Sequence, residues 1–108
     1  MEKMRAMVLS ECAKIETNPL KSTNIDKHQI ERQNEILLKI EACGVCHSQL
    51  HGIEGDWKHI GIPASLPIVP GHEVVGEIVE IGKEVTKFKI GDRAGITPLL
   101  EACKKCQY

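Results

Sequence analysis

A mainly β domain of short strands joined by glycine- and proline-rich turns is the fold class this sequence predicts, and three observations carry it. Apolar residues cluster in runs of strand length, at 4–9, 35–42 and 73–81, with no stretch of helical period long enough for a packed helix pair. The apolar content is Ile, Val and Leu, because Trp57, Phe88 and Tyr108 are the only aromatic residues. Turn formers separate the runs, as in Asn18-Pro19, Pro63, Pro67, Pro70-Gly71 and Gly91-Asp92. A small barrel or sandwich accommodates such a pattern.

Taken in order, residues 4–9 are a first strand. The polar segment 14–34, with Asn18-Pro19 and Asn24 as breakers, is loop or a weak hairpin. In 35–42 the side chains of Ile36, Leu38, Ile40 and Ala42 fall on one face, against Glu35, Lys39 and Glu41 elsewhere, which describes a half-buried strand. One or two helical turns are expected from Cys46 to Gly52, ended by Gly52 and Gly55. Three prolines keep 56–71 irregular. Residues 73–81 predict a strand buried on much of both faces, with Gly76 marking a bulge or a close backbone approach. Gly91-Asp92 turns into a last strand, 93–97.

A length of 108 residues allows one domain with a modest core. With 14 Lys and Arg against 15 Asp and Glu, the charge is balanced, and nothing recommends nucleic acid or an anionic membrane as partner. No apolar run approaches the ~20 residues that span a bilayer, and the charged N-terminus is unlike a signal peptide. A soluble cytoplasmic protein is the expectation. In that setting five cysteines point to metal or redox chemistry rather than disulfides. Cys12, remote from the rest, is expected to be a small buried apolar residue.

Chemistry concentrates in Cys43-Gly44-Val45-Cys46-His47-Ser48-Gln49-Leu50-His51 and in Pro70-Gly71-His72-Glu73. Zinc favours thiolate and imidazole, and a catalytic zinc keeps three protein ligands and one open position. Cys46 and His72, each where a strand meets a turn, supply two such ligands, and Glu73 is a carboxylate placed to sit beside the metal. Rival readings exist. Cys-x-x-Cys-His is also the attachment signature of c-type haem, which requires export, and Cys-x-x-Cys is a redox dithiol where it opens a helix in a βαβ unit, of which there is no sign. A zinc ribbon shared with Cys103-Lys104-Lys105-Cys106 would need a gap of roughly 15–20 residues, far shorter than the distance from Cys46 to Cys103.

Gly44-Val45-Cys46-His47-Ser48, Leu50-His51, Gly55-Asp56-Trp57, Pro70-Gly71-His72-Glu73-Val74-Val75-Gly76 and Gly91-Asp92-Arg93 together resemble the zinc-dependent medium-chain alcohol dehydrogenases, in the family's order and at compatible spacing. The resemblance covers nearly the whole chain and is weakest over 14–34. It implies a GroES-like catalytic domain over 1–108, a partly open β-barrel with short helices. It implies Cys46 and His72 as catalytic zinc ligands with Glu73 beside the metal, Ser48 as acceptor of the alcohol proton, and His51 as the group that passes it toward solvent through the cofactor ribose. His47 would face the cofactor pyrophosphate and Trp57 would wall a pocket for small alcohols or aldehydes. The plainer alternatives are Ser48 as a helix cap and Trp57 as core. Cys103 and Cys106 correspond to two of the four thiolates of a structural zinc lobe.

Two departures follow from the same resemblance. Gln49 stands where many members carry an aspartate that orients the zinc-ligand histidine, and its carbonyl is expected to accept that imidazole N–H. Cys43 has no ligand role and is expected to be a buried strand-end thiol. The sequence holds no Gly-x-Gly-x-x-Gly loop between strand and helix, so a nucleotide-binding domain for NAD or NADP, the third catalytic ligand and the rest of the structural lobe are expected outside it. The expectation is therefore part of an alcohol dehydrogenase, inactive as an isolated chain and prone to self-association through uncovered apolar surface. The alternative is a non-catalytic metal-binding or assembly module on the same fold.

Overall fold

In the computed structural model, which describes residues 2–97, two antiparallel sheets carry the chain. Strand β1 (Lys3–Leu9) alternates exposed Lys3, Arg5 and Met7 with covered Met4, Ala6 and Val8, as a period of two requires. It pairs along its whole length with β2 (Leu20–Asp26), from Lys3 opposite Asp26 to Leu9 opposite Leu20. Segment 14–34 is therefore neither plain loop nor a hairpin of its own: it supplies one strand of a hairpin whose other strand is β1, and Asn24 is no breaker, lying inside β2 opposite Arg5. β2 shows little apolar periodicity because only Leu20 and Ile25 are covered. Backbone hydrogen bonds to β1, and not a buried face, hold it in place. A single 3₁₀ turn (Ile15–Thr17) interrupts the connection and ends at Asn18 in the left-handed region, followed by Pro19.

Strands β3 (Ile36–Cys43), β4 (Val74–Ile81) and β5 (Arg93–Ile96) form the second sheet in that order. Ile36 pairs with Ile81 and Cys43 with Val74, with register shifts at Leu37/Leu38 and between Ile40 and Ala42. The second shift leaves Glu41 without a partner in the ladder; its carboxylate instead accepts from Arg93 Nη2 at 3.0 Å. Gly76 makes the close approach expected of it. A Cβ there would run into the Lys39 carbonyl and the Ile40 Cα, both of them backbone.

Two burial expectations need correction. β4 is not covered on both faces: Gly76 and Ile78 are buried, whereas Glu77, Val79 and Glu80 are exposed. In β3 the covered face fades along the strand, and Ile40 is 51% exposed although Leu38 on the same face is half-buried. The described core is small, comprising Val8, Leu9, Ile53 and Ile78. Leu9 ties the hairpin to the proline-rich loop by reciprocal backbone bonds with Ile68 of 2.8 and 2.9 Å. No described helix is long and apolar enough to cross a membrane.

The only α-helix among the described residues, α1 (His47–Glu54), begins immediately after Cys46. It runs through Gly52 and stops at Gly55, whose φ of 81° provides the left-handed cap, so the second of the two glycines ends it. Ile53, its one buried residue, and Glu54 fasten it to the β1–β2 connection, through Ala13 N–H to the Ile53 carbonyl (3.1 Å) and Ile15 N–H to Glu54 Oε2 (2.8 Å).

Candidate metal centre

β3 delivers Cys43 to the edge of the sheet, and the chain turns through Gly44 and the almost fully exposed Val45 before Cys46 starts α1. The partner strand β4 begins at Val74, so His72 and Glu73 occupy the turn just ahead of it. Because β3 and β4 are antiparallel with Cys43 opposite Val74, the two turns are neighbours, pinned by Gly44 N–H to the Glu73 carbonyl at 2.7 Å. Pairing of two strands thus brings together residues 26 or 27 positions apart in sequence. The Cys46 thiol, a His72 ring nitrogen and a Glu73 carboxylate oxygen all lie within 4.8 Å of one another. Ligands at about 2.0–2.3 Å around a tetrahedral zinc lie ~3.3–3.8 Å apart, so a closure of about an ångström, within the reach of side-chain rotation, brings all three donors onto one ion.

Local detail supports this donor set. Cys46 is the residue that precedes the helix, and its side chain meets the backbone N–H of Gln49 in a capping box. Gln49 Oε1 accepts from Cys46 N–H at 2.8 Å, and Gln49 N–H donates to the Cys46 carbonyl at 3.0 Å. This corrects the expectation for Gln49: its carbonyl serves the backbone of the cysteine rather than the ring of His72. A Cβ on Gly44 would collide with the Glu73 carboxylate, so the missing side chain makes the space that carboxylate occupies. Cys43, expected to be buried, is exposed; its sulfur lies beside Gly71, where an added Cβ would be 3.0 Å away. Cys12 is half-buried and hydrogen-bonds weakly to the Gly52 carbonyl at 3.5 Å.

The remaining candidates sit on α1 and just after it. Ser48 is the second residue of the helix and not its cap, a place Cys46 takes. His47 and His51, four residues apart on one helix face, have ring centroids 4.6 Å apart. Trp57 also stacks on His51, at 4.8 Å and 24°. It is half-buried, so it is not plain core. Asp56 completes the group, with Oδ2 at 2.9 Å from His51 Nδ1. A carboxylate only accepts, so Nδ1 carries the hydrogen in this contact, and in the neutral ring Nε2 is the nitrogen left to accept or coordinate. Asp56 and Gly44 are the site residues that sequence reasoning passed over. The available signal was the Gly55-Asp56-Trp57 run itself, since a left-handed Gly55 folds the next residue back onto the helix end, where Asp56 N–H meets the His51 carbonyl at 3.0 Å. Cys103 and Cys106 lie outside the described residues.

The sheets, their turns and this cluster define a GroES-like domain of mainly β structure. The sequence profile of the alcohol dehydrogenase GroES-like domain matches residues 32–108. An alcohol dehydrogenase of Geobacillus stearothermophilus is 45% identical over 105 residues, which span 97% of this chain and 29% of that protein. Among solved structures, zinc dependent alcohol dehydrogenase 2 from Streptococcus pneumonia superposes with a TM-score of 0.74 at 28% identity, over 97% of this chain and 27% of that one. CAD from Helicobacter pylori, complexed with NADP(H), gives 0.70 at 33% identity over 96% and 28%. The chain belongs to the zinc-dependent medium-chain alcohol dehydrogenase family, of which it carries the GroES-like domain. It spans less than a third of the length of these relatives.

Proposed function

We propose that this chain is the zinc-holding part of an NAD- or NADP-dependent alcohol dehydrogenase, with Cys46 and His72 as metal ligands and Glu73 as the carboxylate beside them. One observation carries the reading: thiol, imidazole and carboxylate converge within 4.8 Å from two turns that strand pairing holds together. Their chemistry suits zinc, which takes sulfur, nitrogen and oxygen donors. When bound, zinc supplies Lewis-acid polarisation of an alcohol oxygen. The overall reaction removes a hydride to the nicotinamide and a proton to solvent, leaving an aldehyde or ketone.

The chain's own part is proton management and shape. The Ser48 hydroxyl both accepts and donates, so it can take the alcohol proton and pass it on. His51 stands three residues further along the same helix and offers Nε2 as the next acceptor, its tautomer held by Asp56. Trp57 braces the His51 ring by stacking and walls the substrate side, while the exposed His47 is free to meet a cofactor phosphate. Every strand pairing among the described residues is antiparallel, so none of them builds the parallel βαβ unit that binds a dinucleotide. The isolated chain is accordingly proposed to bind zinc without reducing NAD or NADP.

Zinc content tests this reading. In a background carrying Cys103→Ser and Cys106→Ser, the chain should retain one zinc, and Cys46→Ser or His72→Gln should lower affinity at least 100-fold in chelator competition. Unchanged affinity in Cys46→Ser overturns the ligand assignment. Alcohol-dependent NADH or NADPH formation by the 108-residue chain alone overturns the proposed division of labour. A metal-binding module without catalysis, favoured by the all-antiparallel topology, would give the same zinc result; in the whole protein, however, Ser48→Ala would then change no turnover, whereas a catalytic role predicts a loss of about 10²-fold or more.

A further inference from the structure

Outside the Cys46, His72 and Glu73 cluster, the described residue pair with the most developed ligand geometry is His47 and His51. We propose that these two imidazoles form a second, independent site for a divalent transition-metal ion of the nickel or copper type, with Asp56 as its outer carboxylate and water completing the coordination.

Three observations support it. The spacing is i, i+4 on α1, the spacing at which helical His-x-x-x-His pairs share one ion. The ring centroids are 4.6 Å apart and tilted by 34°. Two imidazoles bound cis at about 2.1 Å from one ion would place their centroids about 4.5 Å apart, so the ring separation is compatible with chelation. Finally, Asp56 holds His51 Nδ1 at 2.9 Å, which leaves Nε2 as the donor, and this carboxylate–histidine arrangement is the one that orients metal-binding imidazoles. Trp57, stacked on the same ring, limits its rotation. His47 is exposed and the His51 side chain is 34% exposed, so an ion can enter from solvent. Imidazole pairs suit nickel and copper, whereas the thiolate of the first site draws zinc.

The site itself needs nothing from the first cluster. Its consequence rests on the function proposed above: an ion there would occupy the proton-carrying nitrogen and the phosphate-facing histidine at once, and so inhibit turnover.

Trp57 is the chain's single tryptophan and touches the ligand ring, so its fluorescence reports occupancy. Zinc-loaded chain titrated with Ni²⁺ should lose Trp57 emission with a one-to-one stoichiometry. His47→Gln and His51→Gln should each raise the half-quenching concentration at least 30-fold, and Asp56→Asn about 10-fold. His59→Gln and Cys46→Ser should leave the curve in place. His47 is an exposed helix residue, and an unchanged thermal midpoint for His47→Gln would show that lost quenching is not lost folding. Superimposable curves for parent and His47→Gln overturn the proposal, as does quenching abolished by His59→Gln. Quenching that disappears in Cys46→Ser assigns the nickel to the first cluster and also overturns it. Failure of zinc binding at Cys46, by contrast, would sink the function proposed above and leave this site standing.

Discussion

The β3–β4–β5 sheet and the turn cluster at its end are built from different materials. In the sheet, backbone meets backbone: Gly76 is buried under the Lys39 carbonyl, and Ile78 is fully covered. In the turn cluster, side chain meets side chain: Gly44 opens a space filled by the Glu73 carboxylate, and Gly71, at φ 150°, lies against the sulfur of Cys43. The same residue type thus does two jobs at two levels of one strand pair. In one region it lets strands approach, and in the other it makes room for ligand atoms. The sheet is a scaffold whose errors cost stability, and the turns are a site whose errors cost chemistry.

The largest effect should come from breaking the sheet side of this contrast. Gly76→Val puts branched carbon into the Lys39 carbonyl, and a backbone atom in a paired strand cannot yield as a side chain can. A loss of roughly 2–4 kcal/mol in folding stability is expected, read as a fall in the denaturant midpoint. Gly44→Ala tests the other half. Its Cβ meets the carboxylate of Glu73, the mobile end of a side chain, and the Glu73 Cβ at 3.1 Å. Stability should change by less than about 1 kcal/mol, while zinc affinity falls about 10-fold because the carboxylate is displaced. If the two variants lost equal stability, the distinction between scaffold and site glycines would fail.

What could be read from the residues alone divides along the same line. Strands β1, β3 and β4 show themselves through apolar runs, since burial leaves a period in the sequence, and β5 through the Gly91-Asp92 turn ahead of it. β2 does not, because its strand character comes from pairing with β1 and its side chains face solvent. Cys46, His72 and Glu73 stand out because their residue types imply chemistry, although only strand register explains how residues so far apart in sequence meet. Asp56 and Gly44 stay hidden, one because a carboxylate in a turn resembles any surface acid, the other because a glycine does not show which side chain needs its space. Gln49 misleads for a related reason: an amide can serve ring or backbone, and the helix start after Cys46 claims it.

A third experiment concerns what lies over the sheet. Register places Ile40 opposite Gly76 and Ile96 opposite Val74, so both share the face that buries Ile78, yet they remain 51% and 46% exposed. We propose that this face drives self-association of the isolated chain. Ile40→Lys together with Ile96→Lys should shift sedimentation at micromolar concentration toward the monomer with little change in zinc affinity. A parent chain already monomeric there would remove the proposal and leave the site untouched.

The smallest effect belongs to the turn leading into β3, a scaffold turn with no ligand to hold. Glu35 accepts the backbone N–H groups of Arg32 (3.0 Å) and Glu31 (2.9 Å), and these two bonds hold its carboxyl below the ordinary carboxylate range, Arg32 contributing most. A depressed folded-state pKa means the ionised form is favoured by folding. The stabilisation is therefore complete above the pKa of the unfolded chain and lost as pH falls through the lower folded value. Solvent screens so exposed a carboxyl, and the effect should be slight. Glu35→Gln is expected to flatten the acid limb of the stability curve by a small amount while leaving zinc binding near neutral pH unchanged. An acid limb identical to the parent's would show that these bonds order the turn without stabilising the fold. A change in zinc binding would show that scaffold turns and site turns are coupled through the length of β3, and would redraw the boundary between them.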